Sequence, residues 1–317
     1  MKELDLKQIL ENTKELKKKR VWYVSILGRP NVWKSTFINT LIWEKISITT
    51  NVPQTTRRKV LAIYNDNDSQ IIFFDTPWIH KSEKKFNEQL NLQATSSIKD
   101  SDLLLYFIDS SRKSWEEEVY IKQILENINI PVFKVYTKID INSRNDIIED
   151  KNIFKISSVN NHGFDRLLSS IKLNLKEDIT LFPDDIYTKQ DIYFRISEII
   201  REKVFLHTKE EIPHSIFVWV EEVEDIIISK EITENEKKKK HSKKVKDMLK
   251  IMAYIYSETD SQKYILIWKS WKIISSIWKE ARLELEKIFD KKVFLNLRVK
   301  VRKNWRKDEA LLKKILN

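Results

Sequence analysis

Residues 24–36 read Val-Ser-Ile-Leu-Gly28-Arg29-Pro30-Asn31-Val32-Trp33-Lys34-Ser35-Thr36, a short apolar run ending in Gly-x-x-x-x-Trp-Lys-Ser. That is one residue away from Gly-x-x-x-x-Gly-Lys-[Ser/Thr], a loop whose successive backbone N–H groups close around a β-phosphate at a helix N-terminus. In such a loop Lys34 would reach the β and γ oxygens, and the Ser35 hydroxyl would ligate Mg²⁺. Trp33 is the conflict. The residue before the lysine lies against the phosphates, often at positive φ, where glycine is the default and an indole collides with the nucleotide.

Three more stretches carry matching chemistry. Asp75-Thr76-Pro77-Trp78-Ile79 follows the apolar run 71–74; Asp75 would hold Mg²⁺ through water, and the backbone N–H of residue 78 would meet the γ-phosphate. Thr137-Lys138-Ile139-Asp140 follows the run 132–136 and is close to Asn-Lys-x-Asp. The Asp140 carboxylate would accept the two Watson–Crick protons of guanine, a pairing adenine lacks, and the Lys138 stem would lie across the purine. Ser157-Ser158-Val159 fits a loop whose backbone N–H reaches guanine O6. Between the first two stretches, Pro53-Gln-Thr-Thr56-Arg-Arg58 offers a threonine that would close onto Mg²⁺ only in the triphosphate state. The metal candidates are therefore Ser35, Thr56 and Asp75, and the catalytic candidates Lys34, Thr56, Asp75 and Trp78. Each stretch alone could be an ordinary loop; their order and their places at strand ends carry the argument.

The elements that must position them are legible as alternation. Strand-like runs at 23–27, 60–64, 70–74, 103–108, 132–136 and 153–156 alternate with helical patterns at 35–43, 86–98, 116–127 and 164–175. This predicts an α/β unit with a mainly parallel sheet and its ligand at the C-terminal strand ends. At 317 residues, two domains are expected: a charged extension at 1–20, a nucleotide-binding domain at 21–178, a Pro- and acid-rich linker at 179–190, and a second domain at 191–317. No apolar run approaches the length of a membrane-spanning helix, the first twenty residues are too charged for an export signal, and cysteine is absent. A cytoplasmic protein without thiolate chemistry is expected. Net charge is +11, carried unevenly: +8 over residues 190–317 against +3 over 1–189. The second domain is the part that would face a polyanion.

Composition bears on Trp33. A chain this long should hold roughly 22 glycines, yet it has two, Gly28 and Gly163, and ten tryptophans. Trp33, Trp78, Trp268, Trp271 and Trp278 sit where local chemistry asks for glycine, and Trp22, Trp43 and Trp115 lean the same way. The reading is that UGA codons meaning glycine in the source organism appear here as tryptophan. Trp305 reads as genuine, and Trp219 is left open.

The second domain opens with a helical pattern at 191–207 and strands at 215–223 and 248–256, with a basic hairpin loop at 229–247 between them. It then reaches Ile-Trp268-Lys269-Ser270-Trp271-Lys272. With glycine at 268 and 271 this becomes Gly-Lys-Ser-Gly, the Gly-x-x-Gly loop that grips about four nucleotides of single-stranded RNA. A strand at 293–302 and a helix at 306–315 complete the domain.

Taken together, Gly-Arg-Pro-Asn-Val-x-Lys-Ser-Thr, Pro-Gln-Thr-Thr-Arg, Asp-Thr-Pro-x-Ile-His80 and the C-terminal segment resemble the Era family, bacterial GTPases carrying a KH RNA-binding domain, over about residues 21–312. The resemblance implies a phosphate-loop GTPase domain followed by an α+β type II KH domain. It also implies a GTP/GDP and Mg²⁺ site spanning residues 28–36, 75–79, 137–140 and 157–159, and RNA binding through residues 268–272. It makes Thr56 the switch threonine and puts Ile79 where Ras-like enzymes keep a catalytic glutamine, so that hydrolysis is slow without a partner. It allows K⁺ near Asn31, and it points to the 3′ end of small-subunit ribosomal RNA, 30S assembly, a monomer, and peripheral contact with the inner face of the plasma membrane. Two alternatives stay open on the residues: an RNA-binding scaffold with a dead nucleotide site, and a related GTPase acting on transfer RNA or the large subunit. The glycine reading predicts UGA at codons 33, 78, 268 and 271 of the gene; tryptophan at position 33 in mass spectra of protein from the native host overturns it.

Overall fold

The computed structural model describes residues 18–50, 52, 55–79, 85–112, 116–144, 146–228, 246–267 and 271–316. The chain forms two compact units, residues 1–190 with 316–317, and residues 191–315. The basic loop at 229–245, Pro53, Gln54, His80, Trp115, Trp268, Lys269 and Ser270 lie outside the described residues.

In the first unit β1 (Lys18–Gly28), α1 (Lys34–Ile42), β2 (Val60–Asn65), β3 (Ser69–Asp75), α2 (Lys85–Lys99), β4 (Leu103–Asp109), α3 (Glu116–Glu126), β5 (Val132–Thr137), β6 (Ile153–Lys155), α4 (Phe164–Asn174) and β7 (Lys176–Ile179) follow in order. The sheet runs β2-β3-β1-β4-β5-β6, and β7 pairs with the start of β1. Every neighbour pair from β3 to β6 is parallel, while β2 and β7 are antiparallel to their partners. Because helices cover parallel strands on both faces, β3 is buried at all seven residues and β4 at all but one. Leu90, Ala94 and Ile98 lie at spacings that put them on one face of α2, and all three are buried. The latter two join Leu27, Leu104 and Tyr106 in one core cluster.

Two boundaries differ from the sequence reading. β1 begins at Lys18, five residues before the apolar run, because its polar start pairs with β7: Lys19 faces Asp178 and Arg20 faces Glu177 across the antiparallel ladder. Segment 179–190, read as a linker, is tied to the first unit. Leu181 N and Phe182 N both donate to Gln70 Oε1, Ile63 N donates to Tyr187 O, and Thr188 Oγ1 donates to Leu61 O. Pro183 and its acids mark a turn on this path rather than a free span.

The second unit holds α5 (Ile192–His207), α6 (Ile212–Ser215), β8 (Phe217–Ile228), β9 (Lys246–Ser257), α7 (Asp260–Ile267), α8 (Trp271–Phe289), β10 (Lys292–Val301), a 3₁₀ turn (Trp305–Lys307) and α9 (Glu309–Leu316). Its sheet runs β10-β9-β8, with β9 parallel to β10 and antiparallel to β8. The α-β-β-α-α-β order with one parallel pair is that of a type II KH domain. Ile277, Ala281 and Leu285 fall four residues apart along α8 and are fully buried, and α5, α7 and α8 pack on the sheet face built by Val220, Ile251, Ala253, Ile255 and Leu295.

Backbone geometry sorts the tryptophans. Trp33 and Trp43, the residues flanking α1, have φ of 64° and 60° in the left-handed region, which a bulky side chain rarely adopts and which at a helix C-terminus is glycine's usual place. Trp22 lies inside β1 opposite Ile71, and Trp278 lies inside α8 with its indole N–H donating to Leu295 O at 2.7 Å. Neither backbone asks for glycine. Trp305 is fully buried, packs at a tilt against Phe217 with ring centroids 4.9 Å apart, and donates to Ser215 O at 3.0 Å.

Two substitutions separate these classes in urea unfolding. Trp43→Gly removes a side chain that is 82% exposed and relieves the left-handed turn, so it stabilises by about 1 kcal/mol. Trp305→Gly opens a core cavity and orphans the Ser215 carbonyl, so it destabilises by about 3–5 kcal/mol.

Candidate nucleotide site

The C-terminal ends of β1, β3, β4 and β5 deliver Gly28, Asp75, Asp109 and Thr137 to one edge of the first unit. This edge includes the switch point between β3 and β1, from which the chain runs to β2 on one side after β1 and to β4 on the other after β3. Gly28 ends β1 where no side chain fits: a Cβ there would lie 2.6 Å from the Phe107 carbonyl oxygen. The chain then turns through Asn31 and Trp33, both at positive φ, and α1 starts at Lys34. Val32, almost fully buried, pins this loop to the core.

Three candidate metal residues converge at the start of α1. Ser35 Oγ donates to Asp75 Oδ2 at 2.6 Å, Thr56 Oγ1 donates to the same oxygen at 3.4 Å, and the two hydroxyls lie 3.2 Å apart. Asp75 Oδ1 is buried and has no hydrogen-bond partner. A buried carboxylate oxygen left over beside two hydroxyls is a hard-oxygen donor set that fits Mg²⁺. Burial pushes the Asp75 carboxyl above the usual carboxylate range, against the pull of the Lys34 ammonium. Burial in turn pulls the Lys34 ammonium down to about 8, opposed by Asp75. Lys34 Nζ donates to the Gly28 and Arg29 carbonyls at 3.0 and 3.2 Å.

On the base side, Lys138 Nζ donates to Asp109 Oδ2 at 2.8 Å, and Asp109 Oδ1 accepts from Ser111 N and Oγ. Lys138 holds φ of 59°. Asp140 accepts from Ser157 Oγ, which also accepts from Val159 N at 3.3 Å, so the third and fourth stretches meet. Thr137 is buried and donates to Ile108 O at 3.3 Å, turning its hydroxyl into the sheet.

The Arg29 guanidinium faces Glu118 of α3 at 3.2 Å in a buried pair. Val32 and Pro77 are buried, and Ile79 belongs to the core cluster with Leu27 and Ala94. Trp33, Lys34, Ser35, Thr36, Thr56, Thr76 and Trp78 border a cleft of about 60 Å³. Arg29, Val32, Pro77 and Ile79 are not among the residues that line the cleft. The Trp33 ring lies 5.4 Å from Lys138 Nζ, so the indole lies between the phosphate loop and the base-side lysine, across the path of a ribose and purine. The residues fit a guanine nucleotide only with that indole gone. In the second unit, Trp271 and Lys272 open α8.

Sequence reasoning missed Asp109, Glu118 and Asn39. Asp109 ends an apolar strand as Asp75 does, a signal that was available. Asn39, whose side chain accepts from Ile46 N and Ser47 N and donates to Ser47 O, fixes the chain entering the 47–56 loop from inside a helix, where nothing in the sequence marks it.

The Lys34 environment has a pH signature. Between about 8 and the ordinary 10.5, the unfolded chain keeps a proton that the folded chain gives up. The stability penalty from this lysine therefore shrinks as pH rises through that window, by roughly 3 kcal/mol overall. Urea unfolding at pH 8 and pH 10.5 should show that rise relative to a Lys34→Met variant, whose difference between the two pH values lacks it.

A family model described as "50S ribosome-binding GTPase" matches residues 23–138, and one described as "KH domain" matches residues 211–306. GTPase Era of Treponema denticola is 40% identical over 304 residues, spanning 92% of this chain and 98% of that protein. GTPase Era of Geobacter metallireducens is 36% identical over 306 residues, 93% and 97% of the two chains. Among solved structures, Era in complex with MgGDPNP and nucleotides 1506–1542 of 16S ribosomal RNA superposes with a TM-score of 0.81 at 31% identity, covering 94% of this chain and 98% of that one. An Aquifex aeolicus Era variant bound to GDP·AlF₄⁻ gives 0.80 at 31% identity, covering 93% and 98%. With relatives of this identity covering more than nine-tenths of both chains, and a GTPase model followed by a KH model along the sequence, the chain belongs to the Era family of GTPases.

Proposed function

We propose that this protein binds and hydrolyses GTP and uses that cycle to control its grip on single-stranded ribosomal RNA, at the 3′ end of the small-subunit molecule, during 30S assembly. The observation that carries the nucleotide half is the meeting of Ser35, Thr56 and the unpartnered Asp75 oxygen beside Lys34. Ser35, Thr56 and Asp75 would hold Mg²⁺ there, and the ion would supply charge neutralisation to the phosphates of GTP. Lys34 exchanges its two loop carbonyls for phosphate oxygens, and the backbone N–H groups at the start of α1 close around the β-phosphate. Thr56 closes on the metal only with the triphosphate, and the N–H of residue 78 meets the γ-phosphate. Ile79, buried in the core, offers no polar group to a water, so hydrolysis depends on backbone positioning and is slow without a partner. Asp140 reads guanine, Lys138 lies across the purine, and the 157–159 loop supplies an N–H to guanine O6.

The RNA half is supported by the KH match, by the +8 charge of residues 190–317, and by the related Era structure holding 16S ribosomal RNA. Residues 268–272 are the gripping loop. The reading takes the native residue at 33 and 78 as glycine and includes K⁺ near Asn31, a monomeric state, and a cytoplasmic protein with peripheral membrane contact. No helix among the described residues is long and apolar enough to cross a membrane. The indole lying toward Lys138 favours a second reading, an RNA-binding scaffold whose nucleotide site is dead.

Calorimetric titration with Mg²⁺·GDP decides between them. The Trp33→Gly/Trp78→Gly protein binds at micromolar Kd, about 100-fold or more tighter than the chain with tryptophan, and loses about 100-fold in hydrolysis when Asp75→Ala is added. Equal, weak binding with and without the indoles establishes the scaffold.

A further inference from the structure

The sheet of the second unit has an outer face, turned away from α5, α7 and α8, whose composition the proposed RNA loop does not use. Its strand register sets two rows side by side: Phe217, Tyr256 and Lys300 in one, Trp219, Tyr254 and Arg298 in the next. Phe217 and Tyr256 stack at 4.8 Å, and Lys300 Nζ lies 3.6 Å over the Tyr254 ring. The chain beyond β10 folds back so that Arg302, Asp308, Leu311 and Lys314 face Phe217, Trp219 and Tyr256 across a cleft of about 210 Å³. Phe217 is its buried floor, while the Trp219 ring is 37% exposed. Trp219 has ordinary strand geometry opposite Tyr254, where glycine would weaken the strand, so it is treated as tryptophan.

We propose that this cleft is a second contact for single-stranded RNA, seating one unstacked base against Trp219 and its phosphate against Lys314 and Arg302. An exposed aromatic ring beside cations is the chemistry that holds single strands without reading sequence, since every base presents a stackable face. Charge favours a polyanion. Arg298, Lys300 and Lys314 are exposed and form no ion pair with a described carboxylate, whereas Asp308 is already engaged by Arg302 at 2.9 Å and by Leu311 N at 3.0 Å. Among the described residues, Glu221 lies beside Tyr254, and Glu222, opposite Met252 in the next row, is paired with Lys250 at 3.4 Å. The aromatic floor separates this surface from one that attracts anions by charge alone. The proposal rests on the RNA-binding reading of the second unit and adds a site remote from the 268–272 loop in sequence.

The test uses the full chain with two labelled probes, a uridine tetramer that the loop alone accommodates and a uridine hexadecamer long enough to reach beyond it. Trp219→Ala weakens the hexadecamer about tenfold and leaves the tetramer unchanged, while Trp219→Phe retains most of the affinity. Lys314→Gln lowers the slope of log affinity against log salt for the hexadecamer by about 0.7. Hexadecamer binding unchanged in both variants overturns the site. So does equal weakening of both probes by Trp219→Ala, which marks a fold effect. Loss of binding to phosphatidylglycerol vesicles instead of RNA also overturns it, by naming a membrane as the occupant. A Lys269→Asp/Ser270→Asp protein keeps the two readings apart: it loses the tetramer if the loop grips RNA, and an unaffected tetramer defeats the loop while Trp219 still governs the hexadecamer.

Discussion

One left-handed turn of the chain, at residue 33, sets where the loop after β1 gives way to α1 and so where Lys34 and Ser35 stand. With φ of 64° there, the loop leaves the sheet at Gly28 and returns as the first turn of a helix, so that Lys34 and Ser35 arrive opposite Asp75. Both ends are fixed independently of the turn. Gly28 is pressed against the Phe107 carbonyl, and Val32 is sunk in the core. The turn is thus over-determined by its surroundings, and an L side chain held in it costs about 1–2 kcal/mol without abolishing it. A left-handed backbone kept in shape by both flanks is the geometry glycine adopts without strain, a local reason for the glycine reading that composition does not supply.

The charges beside this turn are arranged in opposition. Asp75 and Lys34 are both fully buried, each displaced from its ordinary titration range by burial and drawn back by the other. They do not neutralise each other by contact, because Ser35 and Thr56 stand on the carboxylate and the loop carbonyls hold the ammonium. That separation leaves room for a cation on one side and phosphate oxygens on the other, which is how a site stays receptive rather than closing on itself. Glu118 makes the opposite choice for Arg29, drawing its guanidinium away from the phosphates into a pair that braces the loop from α3.

Much of this was legible in the sequence, for reasons that differ by element. The strands were readable because parallel strands covered on both faces must be apolar throughout, as β3 and β4 are. β7 was not, since Lys-Glu-Asp-Ile is held by its backbone ladder with β1, is exposed throughout and carries no apolar pattern. The path from 181 to 190 looked like a linker because its hydrogen bonds come from Gln70 and β2, more than a hundred residues earlier. At the site, residues whose chemistry is local in sequence, such as Lys34 and Asp75, announced themselves. Asp109 was marked only by its place at the end of an apolar strand; its reach to Lys138, like that of Glu118 to Arg29, emerges from the fold. The tryptophans split in the same way: Trp33 and Trp43 are marked by backbone geometry, whereas Trp22, read from the sequence as a turn or helix-end position, lies inside a strand that gives the glycine reading no support.

The two bonds from Lys34 to the Gly28 and Arg29 carbonyls bear on how fast the loop fills. They act as an internal stand-in for the ligand, keeping the ammonium satisfied while the cradle waits. On the proposed nucleotide reading, an arriving phosphate would trade these neutral acceptors for charged ones, a stronger bond replacing a weaker one. Capture should then be limited by diffusion and by the approach of the rest of the ligand, with departure carrying the larger barrier.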